Sequence, residues 1–144
     1  MNKLATIINA EGLIIGRMAS IIAKRILNGE EITVVNAEKA VISGKRKSRV
    51  MEAKEFLEVG SPGRGPFHHR QPDRIVRRTV RGMISYRQPK GKQAYRRLKV
   101  FIGIPAELKD QKMETLANVR AEKLTCPYFT VGEFAKEMGW HPGE

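Results

Sequence analysis

The sequence has a single cysteine, Cys126, which excludes an internal disulfide framework and any zinc site built on cysteines. One lone thiol also fits a reducing compartment. Long hydrophobic runs are missing: no stretch approaches the roughly 18 to 20 apolar residues that span a bilayer. The apolar part of the opening MNKLATIINAEG is too short for a signal peptide. No internal repeat or low-complexity run interrupts the chain. Acidic residues are scarce in one region, 61–99, where Asp73 stands alone against twelve of the chain's 27 Lys and Arg residues. That segment therefore carries +11 of the net charge of +12, and the other 105 residues balance to +1.

A patch of like charge repels itself. Its physical use is a polyanion, because each cation that meets a phosphate releases a condensed counterion. The rest of the composition is that of a globular chain. At 144 residues, 41% hydrophobic and 29% charged, it suits one domain with a modest tail and enough apolar material for a core. These features predict a soluble intracellular protein with one basic face.

Along the chain, TIIN at Thr6–Asn9 reads as a strand closed by a turn at Ala10, Glu11 and Gly12. Over 17–28, Met18, Ile22 and Ile26 recur every four residues beside Ala19 and Ala23, the pattern of an amphipathic helix that Asn28-Gly29 stops. ITVV at Ile32–Val35 is apolar enough to be buried on both faces, so strand, helix and strand form a βαβ unit. A second helix is expected over 45–59, with Val50, Met51, Phe56 and Leu57 inward. Lys45, Arg46, Lys47 and Arg49 crowd its first turn, where the helix dipole favours anions; bound phosphate would reverse that penalty.

Pro62, Gly63, Gly65 and Pro66 make 61–71 an irregular loop, which contains Arg64, Phe67, His68, His69 and Arg70. Asp73 is expected to cap a third helix over 74–85. At 100° per residue, Arg74, Arg77, Arg78 and Arg81 share an arc of about 100°. Val76, Val80, Met83 and Ile84 share another, centred roughly 120° away. Arg87, Lys90, Lys92, Arg96 and Arg97 continue the basic run through an expected turn at 89–92 and a short helix at 93–97. LKVFI at 98–102 reads as a last core strand. Residues 107–123 read as a surface segment, and Thr130 with Glu133 as a capping box for a short helix through Met138.

Catalytic patterns are weak. Gly12 and Gly16 are spaced G-x-x-x-G, without the third glycine of a dinucleotide fingerprint, and are better read as turn and packing residues. Gly44-Lys45 lacks the rest of a phosphate loop. His68 and His69 are adjacent, the wrong spacing for two ligands on one helix face, and Cys126 has no evident base partner. No metal, cofactor or acid–base couple is indicated. The nine arginines of 61–99, interleaved with Phe67, Tyr86 and Tyr95, suit bidentate phosphate contact and stacking. No helix-turn-helix, zinc finger or RNP motif appears, and an extended loop between cationic helices suits an irregular RNA better than a duplex groove. A nucleotide-using enzyme, a DNA-binding protein and a basic protein-interaction module stay open as alternatives.

Five stretches carry a resemblance: Gly16-Arg17-Met18-Ala19-Ser20; Asn36-Ala37-Glu38-Lys39 with Ile42-Ser43-Gly44-Lys45; Arg64-Gly65-Pro66-Phe67-His68; Val80-Arg81-Gly82-Met83; and Arg96-Arg97-Leu98-Lys99-Val100-Phe101. In this order, over residues 7–105, the chain resembles the universal large-subunit ribosomal protein thirteen family. The Arg-Gly-Pro-Phe-His-His loop is similar to its archaeal and eukaryotic branch. Ile84-Ser85 departs from the family's Leu-Pro. The resemblance implies a three-layer α/β/α fold with a four-stranded, mainly parallel sheet. It implies an RNA-binding domain at 1–105 and a C-terminal extension at 106–144 with a short helix. It also implies a non-enzymatic, cytoplasmic, ribosome-bound protein whose partners are large-subunit ribosomal RNA and neighbouring ribosomal proteins, with no membrane and no small-molecule substrate. The contacts would come from the 45–49 cluster, the loop and the third-helix arginines.

Overall fold

Residues rich in Ile and Val form the centre of the fold. The computed structural model describes residues 5–142, in which β1 (Thr6–Asn9), α1 (Ile15–Leu27) and β2 (Ile32–Val35) make the βαβ unit. There follow β3 (Val41–Ser43), α2 (Arg46–Glu58), α3 (Pro72–Arg81), α4 (Pro89–Arg96), β4 (Leu98–Val100), β5 (Tyr128–Thr130) and α5 (Val131–Glu137). The main sheet has the order β1-β2-β4 and is parallel throughout, with Ile32 opposite both Thr6 and Leu98. All four residues of β2 are buried, as a central strand requires.

The fold is mixed α/β, but this sheet has three strands where four were expected. β3 pairs antiparallel with β5 instead, Val41 opposite Thr130, and meets the α1 entrance through a parallel bridge from Ile14 to Val41. The partner of β3 is Tyr-Phe-Thr, a β-rich triplet in a tail from which only a helix was expected. The expected surface segment 107–123 also turns inward: Val119 and Ala121 are buried, and the Glu114 N–H donates to Ile7 O at 2.7 Å while its carbonyl accepts from Asn9 at 3.0 Å. The core joins Ile8, Met18, Ile22, Ile32, Val76, Val80 and Leu98 with Val119 and Val131 from beyond residue 105.

Burial decides the helices. The α1 stripe of Met18, Ala19, Ile22, Ala23 and Ile26 is buried as its spacing predicts. Its N-terminus has no side-chain cap, a loss of about 1 kcal/mol. Each buried isoleucine contributes roughly 1.5–3 kcal/mol, so packing wins. α2 is held more lightly. Of its expected inward residues Val50 is buried and Leu57 half-buried, but Met51 and Phe56 stand 55% and 60% exposed. Packing reaches only the narrow face around Val50, while Met51 and Phe56 project well to either side of it.

α3 begins at Pro72, favoured at a first helical position because it lacks the N–H that would be orphaned. Asp73 is therefore inside the first turn rather than the cap. The helix ends at Arg81, short of the expected 85, and leaves Met83 44% exposed. Turns carry the chain to Pro89, and the expected basic turn at 89–92 is the first turn of α4. α3 packs on α1 and β4, and α4 on α1.

The capping box of α5 is present: the Glu133 N–H donates to Thr130 Oγ1 at 3.2 Å and the Thr130 N–H to Glu133 Oε2 at 3.3 Å. Thr130→Ala is expected to cost about 1 kcal/mol, roughly 2–4 °C in a thermal melt. An unchanged melting temperature would show that β5 pairing alone fixes this end.

Candidate nucleic-acid interface

The face of α3 opposite its buried valines is built from arginine and tyrosine. Val76 and Val80 are fully buried, which fixes the helix rotation and leaves Arg74, Arg77 and Arg78 exposed, with Arg81 at the edge. Tyr86 and Tyr95, half-buried, meet edge to face with centroids 5.3 Å apart and planes at 82°. The Arg77 guanidinium lies 4.6 Å over the Tyr95 ring and that of Arg81 4.0 Å over Tyr86. One turn apart on the helix, the two cations rest on two mutually braced rings. Cation–π contact at such a surface is worth roughly 0.5–1 kcal/mol, which lowers the entropy lost when the side chain is fixed by an anion. The order Arg81, Tyr86, Tyr95, Arg77 is a preformed ladder.

Beside it runs the 61–71 loop. Gly60 and Gly65 adopt positive φ, and a Cβ on Gly60 would fall 2.4 Å from Gly65 O, so the loop closes on itself at a point only glycine permits. Phe67 is 70% exposed, and Arg64, His68, His69 and Arg70 are exposed with it. The His68 ring meets Phe56 of α2 at 5.7 Å. Desolvation lowers the His69 pKa from its usual value, and Arg78, Arg74 and Arg81 push the same way against Asp73. The shift favours the neutral imidazole, in which one ring nitrogen donates and the other accepts.

The other expected contact residues divide between exposed side chains and internally paired ones. Lys45, Lys47, Arg87, Lys90, Lys92 and Arg96 are exposed. Arg46 ties α2 to α5 through Glu137, Nη2 to Oε1 at 2.8 Å, and Arg49 approaches Glu52 at 3.8 Å. Both pairs are solvent-exposed, worth about 0–1 kcal/mol, and are readily exchanged for phosphate. Arg97 differs: it is half-buried and its Nη1 donates at 2.8 Å to Ile26 O in the last turn of α1, a carbonyl that also accepts from the Gly29 N–H at 3.1 Å. Arg25, outside the basic segment, is held by Glu30 and Glu114, and its pKa is raised chiefly by the hydrogen bond to Glu30.

Sequence reasoning missed two features. Phe56, expected in the core, lines the surface beside His68. Tyr95 lies 18 positions from the arginine it supports, beyond any local spacing rule. The Gly12 turn spends its own backbone groups internally: the Gly12 N–H donates to Lys39 O, its carbonyl accepts from Ala121, and the Ile14 N–H donates to Val119 O. No group of three or more metal-ligating side chains occurs among the described residues, and no helix there is long and apolar enough to cross a membrane.

The Ribosomal protein L13 family profile matches residues 3–107. The chain is similar to the large ribosomal subunit protein uL13 of Methanosarcina barkeri, 48% identical over 136 residues, covering 93% of this chain and 97% of that one. It is also similar to uL13 of Archaeoglobus fulgidus, 46% identical over 137 residues (94% and 88%), and of Methanopyrus kandleri, 40% identical over 142 residues (96% and 89%).

Proposed function

Because this chain belongs to the Ribosomal protein L13 family, we propose that it is a non-catalytic structural protein of the large ribosomal subunit that binds ribosomal RNA and supports subunit assembly. The observation that carries the mechanism is the braced ladder of Arg77, Tyr95, Tyr86 and Arg81 within a segment of charge +11. A rigid α/β body holds these cations in fixed positions, so several RNA segments are bound at once with little ordering of the protein. Lys45, Arg46, Lys47 and Arg49 at the α2 start would hold one segment. Arg74, Arg77, Arg78 and Arg81 would hold a second, with Arg64, Phe67, His68, His69 and Arg70 between them. Arg87, Lys90, Lys92 and Arg96 extend the surface, and Arg97 contributes its remaining donors.

Residues 1–105 act in this reading as the RNA-binding part and 106–144 as an extension that braces it. If β3 is counted with the parallel strands through the Ile14–Val41 bridge, the arrangement approaches a four-stranded, three-layer form. Exposed Phe101, Ile102 and Tyr128 offer apolar surface to neighbouring ribosomal proteins. The location that follows is cytoplasmic, on the ribosome.

Sedimentation of a native cell extract at moderate salt tests the proposal. The protein should travel with large subunits and resist a moderate salt wash. A low-mass peak with none on subunits would overturn it.

A further inference from the structure

The loop, α2, α3 and α5 enclose a cleft of ≈ 370 Å³ that phosphate binding alone does not explain. Its floor is apolar, from Leu57, Ile75 and Met138, and one side is the Phe56–His68 aromatic pair. The polar side chains of its lining are His68, His69, Arg78 and Thr79. Resting on the RNA-binding reading above, we propose that this cleft receives one unpaired RNA base, stacked on Phe56, with its edge read by His69 and the phosphate of the same nucleotide held by Arg78.

Four observations favour a base over an apolar side chain from a protein. The cleft adjoins the arginine face of α3 and shares Arg78 with it, so a strand held there is already at the rim. Its charge is complementary to a nucleotide: cations at the mouth, aromatic and aliphatic atoms within. His69 lines the cleft, and its neutral form, which desolvation and the surrounding arginines favour, presents both a donor and an acceptor to a base edge. Phe56, 60% exposed in the free protein, is a large apolar ring left at the surface where a stacking partner would cover it. The Thr79 hydroxyl donates to Ile75 O at 2.9 Å, so it can offer a base edge only an acceptor, and the donor to that edge is left to His69.

Large-subunit RNA stripped of protein, bound to the full chain, provides the test. Hydroxyl-radical cleavage reads the backbone, and base-specific methylation and carbodiimide modification read the bases. With the unaltered protein, an unpaired base inside the backbone footprint should be protected. Phe56→Ala should lower the affinity roughly 5- to 100-fold, the size of one base stack, and expose that base at saturating protein while leaving the backbone footprint in place. Phe56→Trp should restore the protection. A normal footprint whose base reactivities ignore Phe56→Ala overturns the base pocket alone. If that variant also enters particles poorly, the occupant is a neighbouring protein. Absence of any footprint with the unaltered protein overturns the RNA-binding reading along with the pocket.

Discussion

Replacing Arg77, Arg78 and Arg81 together with Gln is expected to lower affinity for deproteinised large-subunit RNA by on the order of 10²- to 10³-fold. The log–log salt slope should flatten by about two to three. The slope follows from counting, since each cation lost from a phosphate contact retains roughly one counterion on the RNA. The size of the affinity loss follows from preorganisation. Arg77 and Arg81 already rest on Tyr95 and Tyr86, so binding orders them less than free side chains, and more of their phosphate contact is realised. Tyr95→Leu distinguishes this from charge alone. It keeps every cation, so the salt slope should hold while affinity falls a few-fold. Arg97→Gln should behave differently again, because its guanidinium serves Ile26 O in α1. Its main effect is expected on thermal stability. If the triple variant bound RNA with unchanged affinity and slope, the α3 face would not be the interface. Filter binding across a salt series settles this.

Gly91→Ala is expected to be the most damaging single methyl in the molecule. A Cβ at Gly91 would fall 1.9 Å from Ser85 O and 2.3 Å from its carbon, backbone atoms that cannot swing aside. Gly91 is buried in the first turn of α4, which leads to the fully buried Ala94 and to Tyr95. Relief requires α4 and the 82–88 turns to part, so the cost lies at or above the usual overpacking range, about 3 kcal/mol or more and roughly 10 °C in a melt. The shift would also move Tyr95 from beneath Arg77, so RNA binding should weaken before unfolding is complete. Gly82→Ala is the matched control. It sits in ordinary helical φ with its nearest neighbour 3.6 Å away, and should melt within about 1 kcal/mol of the parent. Equal melting temperatures for the two variants would refute the packing argument.

Much of this was legible in the residues. Period-four spacing placed Met18, Ile22 and Ile26 in the core, and an uninterrupted apolar quartet placed β2 at the sheet centre, because burial is the largest local term. Charge density located the basic face, and the two arcs of α3 separated Val76 and Val80 from Arg74, Arg77 and Arg78. What escaped depended on contacts between distant residues. β3 and β5 are three residues each, too short for any period, and exist because they pair. Met51 and Phe56 carry the same hydrophobic signature as core residues; only the narrow packing of α2 leaves them outside. Arg97 reads as one more cation until Ile26 O is seen beside it. Gly91 reads as a turn residue until Ser85 arrives against it.

The antiparallel pairing of β3 with β5 has a temporal meaning. A chain is made from its N-terminus, so the basic segment and the three parallel strands leave the synthetic machinery before Tyr128–Thr130 can cover Val41–Ser43. Until then the hydrophobic cluster lacks Val119 and Val131, and the edge of β3 that meets β5 has no partner. The cationic surface is thus chemically complete while its support is still open. The nascent protein passes through an interval, about one to several seconds at ordinary elongation rates, in which it can attract polyanions without yet holding them in fixed geometry. Closure of the last strand completes the support on which those cations are held.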